Sequence, residues 1–332
     1  MYFLLGFSLI LAVLLAINIV LSFGTELVRR AAAPFLKKIP ARKKSRIVFG
    51  LGVLPLVVAV VFVGAFLIPA YLLFEPSKSE ETVSLKLAAL AGLSLAGIAV
   101  ALYRVFGSWW TTRRLVANWL KNAEPVALEN VPVPVYRIEH RFPVIAVVGA
   151  FRPRVFIAGR IFDVLEPAEL AAALAHEKGH LAARDNFKRV LLRISRDLLV
   201  FPFGKALERA WAATAETAAD EFAAQSGRRA AVELASALVK IVRLVPPDVK
   251  PAISAGTFLV SEETEHISDR VERLLRLSSE KAANAENKAS GGDYVMAASL
   301  VAVCAAVALF ATNSQFLQLV HELTESIVAA LQ

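Results

Sequence analysis

Residues 175–181 read Ala-His-Glu-Lys-Gly-His-Leu, inside an alanine- and leucine-rich run that opens at Pro167. On a helix, residues i and i+4 share one face one turn apart, so His176 and His180 can aim their rings at a single metal ion. Glu177 then lies beside the open metal position, where a carboxylate can take a proton from water. Zinc lowers the pKa of such a water to about 7. The chain has only five histidines in 332 residues, so chance supplies this spacing at roughly 0.5%. The plainer alternative is two surface histidines on a helix. Pro167 suits a first helical turn, and Glu169 sits near the positive end of the dipole.

Catalytic zinc sites use three protein ligands and keep one position open. A third histidine close by in sequence fails here, because Ala183 and Asn186 stand where the glycine and histidine of that longer motif belong. The best remaining candidate is Glu216, in Ala-Glu-Thr-Ala-Ala-Asp at 215–220. Small neighbours suit a helix packed closely against another. Asp220 falls one turn later on the same face, placed to hold a ligand histidine by its second ring nitrogen. An ordinary exposed acidic face is the alternative. The helix carrying both is predicted to end near Ser226, before Gly227. A further helix runs from about Arg229 to Pro246-Pro247.

Upstream, Val131–Ala158 is rich in Val, Ile and Phe and broken by Pro and Gly, which predicts short strands. Residues Val144–Gly149 either pair with an extended substrate, as an edge strand does, or form part of a core sheet. His266 is a candidate oxyanion donor, with a surface position as the alternative. His140 and His321 read as structural. Val190–Phe203 reads as a core or membrane-facing helix, and residues 277–292 as a polar linker.

The composition is 57% hydrophobic and 20% charged. Apolar runs free of charge account for it and predict four membrane spans near 2–23, 47–74, 87–103 and 294–311. The net charge of +8 is concentrated: residues 24–46 hold eight Lys and Arg against Glu26 alone. A basic loop between two spans fits a cytoplasmic juxtamembrane segment better than a nucleic-acid surface. The outward side then receives the N-terminus, the loop around Glu75, Lys78, Glu80 and Glu81, and the tail after Ala311. Trp109 and Trp110 suit an interfacial anchor. A single cysteine, Cys304, excludes an intrachain disulfide and a thiolate metal cluster.

The predicted architecture is a multi-pass α-helical membrane protein with an inserted α+β zincin-like metallopeptidase domain. Its parts are a three-span membrane domain (1–106), a cytoplasmic catalytic domain (107–292), a fourth span (293–312) and a short extracytoplasmic tail (313–332). Glu216 and Asp220 match the E-x-x-x-D element that follows H-E-x-x-H in gluzincin-type membrane peptidases. Three further features resemble the BlaR/MecR antirepressor family: Ala183-Arg184-Asp185 after the second histidine, Phe201-Pro202 ahead of the next helix, and Arg152-Pro153-Arg154-Val155 leading to the zinc helix. The three-plus-one span arrangement is similar as well. The HtpX and CAAX-protease family is the second resemblance. Ala219 stands where antirepressor relatives often carry cysteine, and only about twenty residues follow the fourth span, so no β-lactam sensor domain is expected.

These resemblances imply a zinc endopeptidase that uses Zn2+ and acts on a cytoplasmic or membrane-near protein or peptide, such as a transcriptional repressor. The HtpX-like alternative implies processing or quality control of membrane proteins. A catalytically silent signalling scaffold is the reading from another class, and the intact Glu177 weighs against it. Transport is disfavoured, because the four predicted spans contain no ionisable Asp, Glu, Lys, Arg or His.

Overall fold

The computed structural model describes residues 2–76, 83–128, 131–198, 204–245, 256–258, 267–281 and 292–331. Lys78, Glu80, Glu81, Phe201-Pro202, Pro246-Pro247, His266 and most of the polar stretch 277–292 lie outside them. In chain order the helices are α1 (Tyr2–Ala31), α2 (Ala33–Leu36), α3 (Ala41–Phe62), α4 (Ile68–Phe74) and α5 (Leu85–Leu120). Then come β1 (Glu124–Val126), β2 (Val135–Ile138), β3 (Ile145–Val148) and β4 (Arg154–Ala158). They are followed by α6 (Gly159–Val164), α7 (Pro167–Ala183), α8 (Asp185–Asp197), α9 (Gly204–Ala224) and α10 (Ala230–Leu244). Strand β5 (Gly256–Phe258) and helices α11 (Ile267–Lys281), α12 (Gly292–Ala311) and α13 (Ser314–Leu331) complete the chain.

Among the described residues, three helical runs are long and apolar enough to cross a membrane: α1, Ala41–Phe74 and α5. Their outer faces carry large exposed apolar side chains such as Phe3, Leu73, Leu102 and Phe106. Helix α1 continues past its apolar segment, where Glu26 pairs with Arg29 and Arg30 at 2.7 Å on neighbouring positions of one helical face. Between α3 and α4 lies a π-helical turn, Val63–Leu67. It precedes Pro69, which has no N–H and whose ring would clash with the carbonyl four residues back, so local rewinding has a ready cause. The third helix extends well past the expected end at Tyr103, with Trp109 and Trp110 inside it. Val301–Ala311 of α12 and Ser314–Ala330 of α13 pass the same test as a pair, bent by 78°. The tail expected beyond Ala311 is therefore largely a helix. Asn313 Oδ1 accepts from Phe316 N at 3.0 Å at its start.

The sheet order is β1-β2-β4-β3-β5. Strands β2 and β4 are parallel, and the other pairings are antiparallel. All four residues of β3 are buried, as a strand covered on both faces requires. With β4 on one side and β5 on the other, β3 is an interior strand, and the core alternative for Val144–Gly149 is the one realised. Its end turns at Gly149, where φ is +104°. A side chain there would be strained and would meet the Arg152 carbonyl at 2.8 Å. The main core joins this sheet to α7, α10 and α11 through Val147, Phe156, Ile157, Ala173, Leu234, Leu238 and Leu274.

A second core fastens the apolar helix α3 to the helical part of this region: Val48 and Val53 of α3 pack with Leu192 of α8 and Leu207, Trp211 and Ala215 of α9. Gly52 makes room for Leu192, and Ser195 Oγ donates to the Gly52 carbonyl at 2.8 Å. Arg104 of α5 reaches Asp197 at 2.8 Å, and the backbone N–H of Ala41 donates to Glu221 at 3.2 Å. The basic start of α3 therefore sits against α8 and α9.

Candidate metal centre

Helix α7 is fixed at both ends. A capping box joins Glu166 and Glu169 around Pro167, satisfying amides that the first turn leaves free. The buried Glu169 carboxylate also accepts from Ser236 at 2.6 Å and Lys240 at 2.8 Å, which ties α7 to α10. At the other end Arg184 adopts the left-handed conformation, φ 54°, alone among the non-glycine described residues. That single residue turns the chain straight into α8 and presents Asp185 back to α7.

His176, Glu177 and His180 are almost fully buried on α7. The two Nε2 atoms lie 3.1 Å apart. Glu216 faces them from α9, with its carboxylate oxygens 3.6 Å from His176 Nε2 and 3.5 Å from His180 Nε2. One ligand atom from each of these three residues lies within 4.8 Å of the others, so the group could hold a metal ion. The outer ring nitrogens point to carboxylates. His176 Nδ1 is 2.9 Å from Asp220 Oδ1, and His180 Nδ1 is 2.7 Å from Asp185 Oδ2. Each ring is thereby turned with Nε2 inward, and one tautomer is favoured.

The donor set suits a cation on an observation independent of motif. Glu216 Oε2 and Glu177 Oε1 are buried and make no hydrogen bond among the described residues. Two imidazole nitrogens and one carboxylate oxygen are ordinary zinc ligands. Burial alone would raise the Glu216 pKa, but His180, His176 and Arg270 hold it down at about 2. For Asp220 burial is likewise opposed, first by Arg270 and then by His176, which keep it well below the usual carboxylate range. Burial would lower His176, yet Asp220 and Glu216 raise it on balance. Glu177 differs. Burial pushes its carboxyl up to about 8, against the nearby His180. Its Oε2 accepts from the backbone N–H of Val147 at 3.0 Å, so β3 fixes the carboxyl's direction. Asn186, from α8, donates to the carbonyls of Val147 and Gly149 and holds that strand end in place.

The structure thus brings His176, Glu177, His180, Glu216 and Asp220 together. His266 lies outside the described residues, and His140 contacts the Phe142 backbone at 3.1 Å, away from this cluster. Three residues were missed from sequence. Asp185 enters the sequence reading only through the Ala183-Arg184-Asp185 resemblance, although five residues after His180 places it just past a helix end. Arg270 donates to both Asp220 oxygens, at 3.1 and 2.8 Å, and Arg273 donates at 2.6 Å. Arg270 Nη1 also approaches Glu216 at 3.6 Å. No local pattern in the sequence joins α11 to α9, since some fifty residues separate them.

Close approach of α7 and α9 depends on Gly179. A Cβ there would meet Ala219 Cα at 3.1 Å and Phe222 Cβ at 3.3 Å. We expect Gly179→Val to push the helices apart, costing about 1–3 kcal/mol by overpacking and moving Glu216 away from the histidines. Thermal denaturation together with zinc content checks this; unchanged values for both would mean that the helices have room to spare.

Residues 144–214 match the model of Peptidase family M48. The match begins at β3 and ends two residues before Glu216, so it includes both histidines and Glu177 but neither Glu216 nor Asp220. No curated protein matches the chain. The stretch that contains the His-Glu-x-x-His helix is thus similar to a Peptidase family M48 domain, a zincin-type metallopeptidase, in a chain that is mostly helical and has, among the described residues, three apolar helices able to span a membrane.

Proposed function

We propose that the protein is a membrane-anchored zinc endopeptidase in which His176, His180 and Glu216 hold the metal. The observation that carries this reading is the convergence of those three side chains within 4.8 Å, beside a buried glutamate with one unpartnered oxygen. When bound, zinc supplies Lewis acidity toward a peptide carbonyl and toward the attacking water. Glu177 Oε1 takes the proton from that water and returns it to the departing amine. The Val147 N–H keeps the other oxygen, Oε2, in place throughout. Asp220 and Asp185 hold the two rings at their outer nitrogens. Arg270, with His176, keeps Asp220 ionised, and Arg273 donates to it.

For substrates, the M48 match favours processing or quality control of membrane-near proteins, the HtpX-like reading, over repressor cleavage. Antirepressor activity rests only on motif resemblance. Comparing proteomes of cells carrying wild type and Glu177→Gln tests this. Accumulation of uncut membrane proteins supports the processing reading; accumulation of an intact soluble regulator alone reverses the order.

The orientation we propose puts the N-terminus outside and residues 107–292 in the cytoplasm. Its support is the eight basic residues of 24–46 and the packing of α3's basic start against α8 and α9. The test replaces Cys304 with Ser and places single cysteines at Ser79 and Ser279. A membrane-impermeant thiol reagent added to intact cells should label the first and spare the second. The opposite pattern would invert the topology.

A further inference from the structure

A second group of metal-ligating side chains lies far from the candidate peptidase centre. Glu75 follows the last residue of α4, and His321 and Glu325 occupy one face of α13, four residues apart. One ligand atom from each, an imidazole nitrogen and two carboxylate oxygens, falls within 4.8 Å of the others. From Gly52, which meets α8, to Glu75 is 23 residues of helical run. At 1.5 Å per residue that is about 35 Å. The two clusters therefore occupy opposite ends of the membrane helices.

Four features indicate that this cluster is built for a cation. Glu75 is only 8% exposed, and its carboxyl meets that of Glu325 in a hydrogen bond, so two acids crowd one point where a cation would offset their charge. Among the described residues, no lysine or arginine forms an ion pair with Glu75 or Glu325. Glu75 also sits at the carboxyl end of α4, where the helix dipole disfavours negative charge. Finally, the geometry is held rather than loose. The Phe74 ring stacks on His321 at 6.0 Å, while Leu317 and Val320 of α13 are buried against α4 with Ala70. Val328 is buried with Leu67 and Tyr71. Two carboxylates are thus pressed together beside an oriented imidazole by packing that does not depend on them.

We infer that Glu75, His321 and Glu325 form a second divalent-cation site, which ties α13 to the end of α4. One imidazole and two carboxylates are a donor set for a first-row divalent ion, Zn2+ being the one to test. Because the ligands come from two separate elements, the ion would act as a cross-link, and its binding would add to the stability of α13 docking. The inference does not rest on the proposed peptidase activity.

The full chain, purified in detergent, stripped by chelator and reloaded with Zn2+, decides by metal content. Wild type should hold two equivalents, and His321→Ala should lose one. Glu325→Gln, nearly identical in shape, should lose the same one, which separates ligand loss from misfolding. Glu216→Ala removes a group at the other centre and should leave the second ion in place. Hydrogen exchange gives an independent readout: chelation should speed exchange at Val320, Thr324 and Val328 in wild type but have no further effect in His321→Ala. Identical zinc content in wild type, His321→Ala and Glu325→Gln would overturn the inference. The cluster would then be a carboxyl pair sharing a proton.

Discussion

Glu177→Gln is expected to bind zinc as wild type does while cleaving a protein substrate at least ~100-fold more slowly. The two halves of this expectation come from different atoms. Glu177 is not among the three converging ligand residues, so the ligand set survives the change. Glutamine can still occupy the buried space and, through its carbonyl oxygen, accept from the Val147 N–H that now reaches Oε2 at 3.0 Å. It cannot take a proton. Since burial holds the native carboxyl near neutrality at about 8, removing an unfavourably buried acid should not lower thermal stability. Rate, zinc content and melting temperature measured on one preparation check all three. Wild-type turnover in a zinc-loaded variant would remove Glu177 from the mechanism.

Legibility from sequence followed the range of the interactions. The α7 helix was readable because its determinants are local: Pro167 at the first turn, Glu169 three residues after Glu166, and histidines at i and i+4. The ends of α9 and α10 were readable to within a few residues from Gly227 and the double proline. The span expected at 87–103 lies inside the longer helix α5 (Leu85–Leu120), because hydropathy reports which residues suit lipid, not where hydrogen bonding stops. After Tyr103 the sequence turns polar but contains no proline up to Lys121, and the helix continues. The α13 helix was read as a tail for a similar reason. Its amphipathic face is intelligible only once α4 is present to cover Leu317 and Val320. Within the candidate site, carboxylates and histidines could be nominated from residue type and helical phase. The arginines over Asp220 could not, because they reach it from α11, a separate element whose docking on α9 is a tertiary event. The interior position of β3 has the same origin, since β5 comes more than a hundred residues later.

Glu216→Ala should abolish stoichiometric zinc at the candidate centre between α7 and α9, whereas Asp220→Asn should weaken it by only ~10–100-fold. Both residues are carboxylates on one face of α9, so the separation must come from geometry. Glu216 approaches the inward Nε2 atoms of both histidines, at 3.6 and 3.5 Å. Asp220 meets only the outward Nδ1 of His176, at 2.9 Å. Deleting the first therefore removes a donor from the converging set. Changing the second leaves the set whole and loosens one ring. Asp220 has a further burden, because Arg270 and Arg273 both donate to it, and Arg270 is itself buried. Asparagine keeps an acceptor for one of them but leaves positive charge uncompensated, and breaking a buried pair is costly. Asp220→Asn should accordingly lower the melting temperature more than Glu216→Ala does, even though it retains more zinc. That inversion, with metal and stability ranking the two variants in opposite order, is what distinguishes a ligand from the residue that positions one. Counting must allow for the second cluster at Glu75, His321 and Glu325, so each variant is best measured in a His321→Ala background. Full zinc in Glu216→Ala together with an empty site in Asp220→Asn would exchange the two assignments, and full zinc in both would place the third ligand on another element.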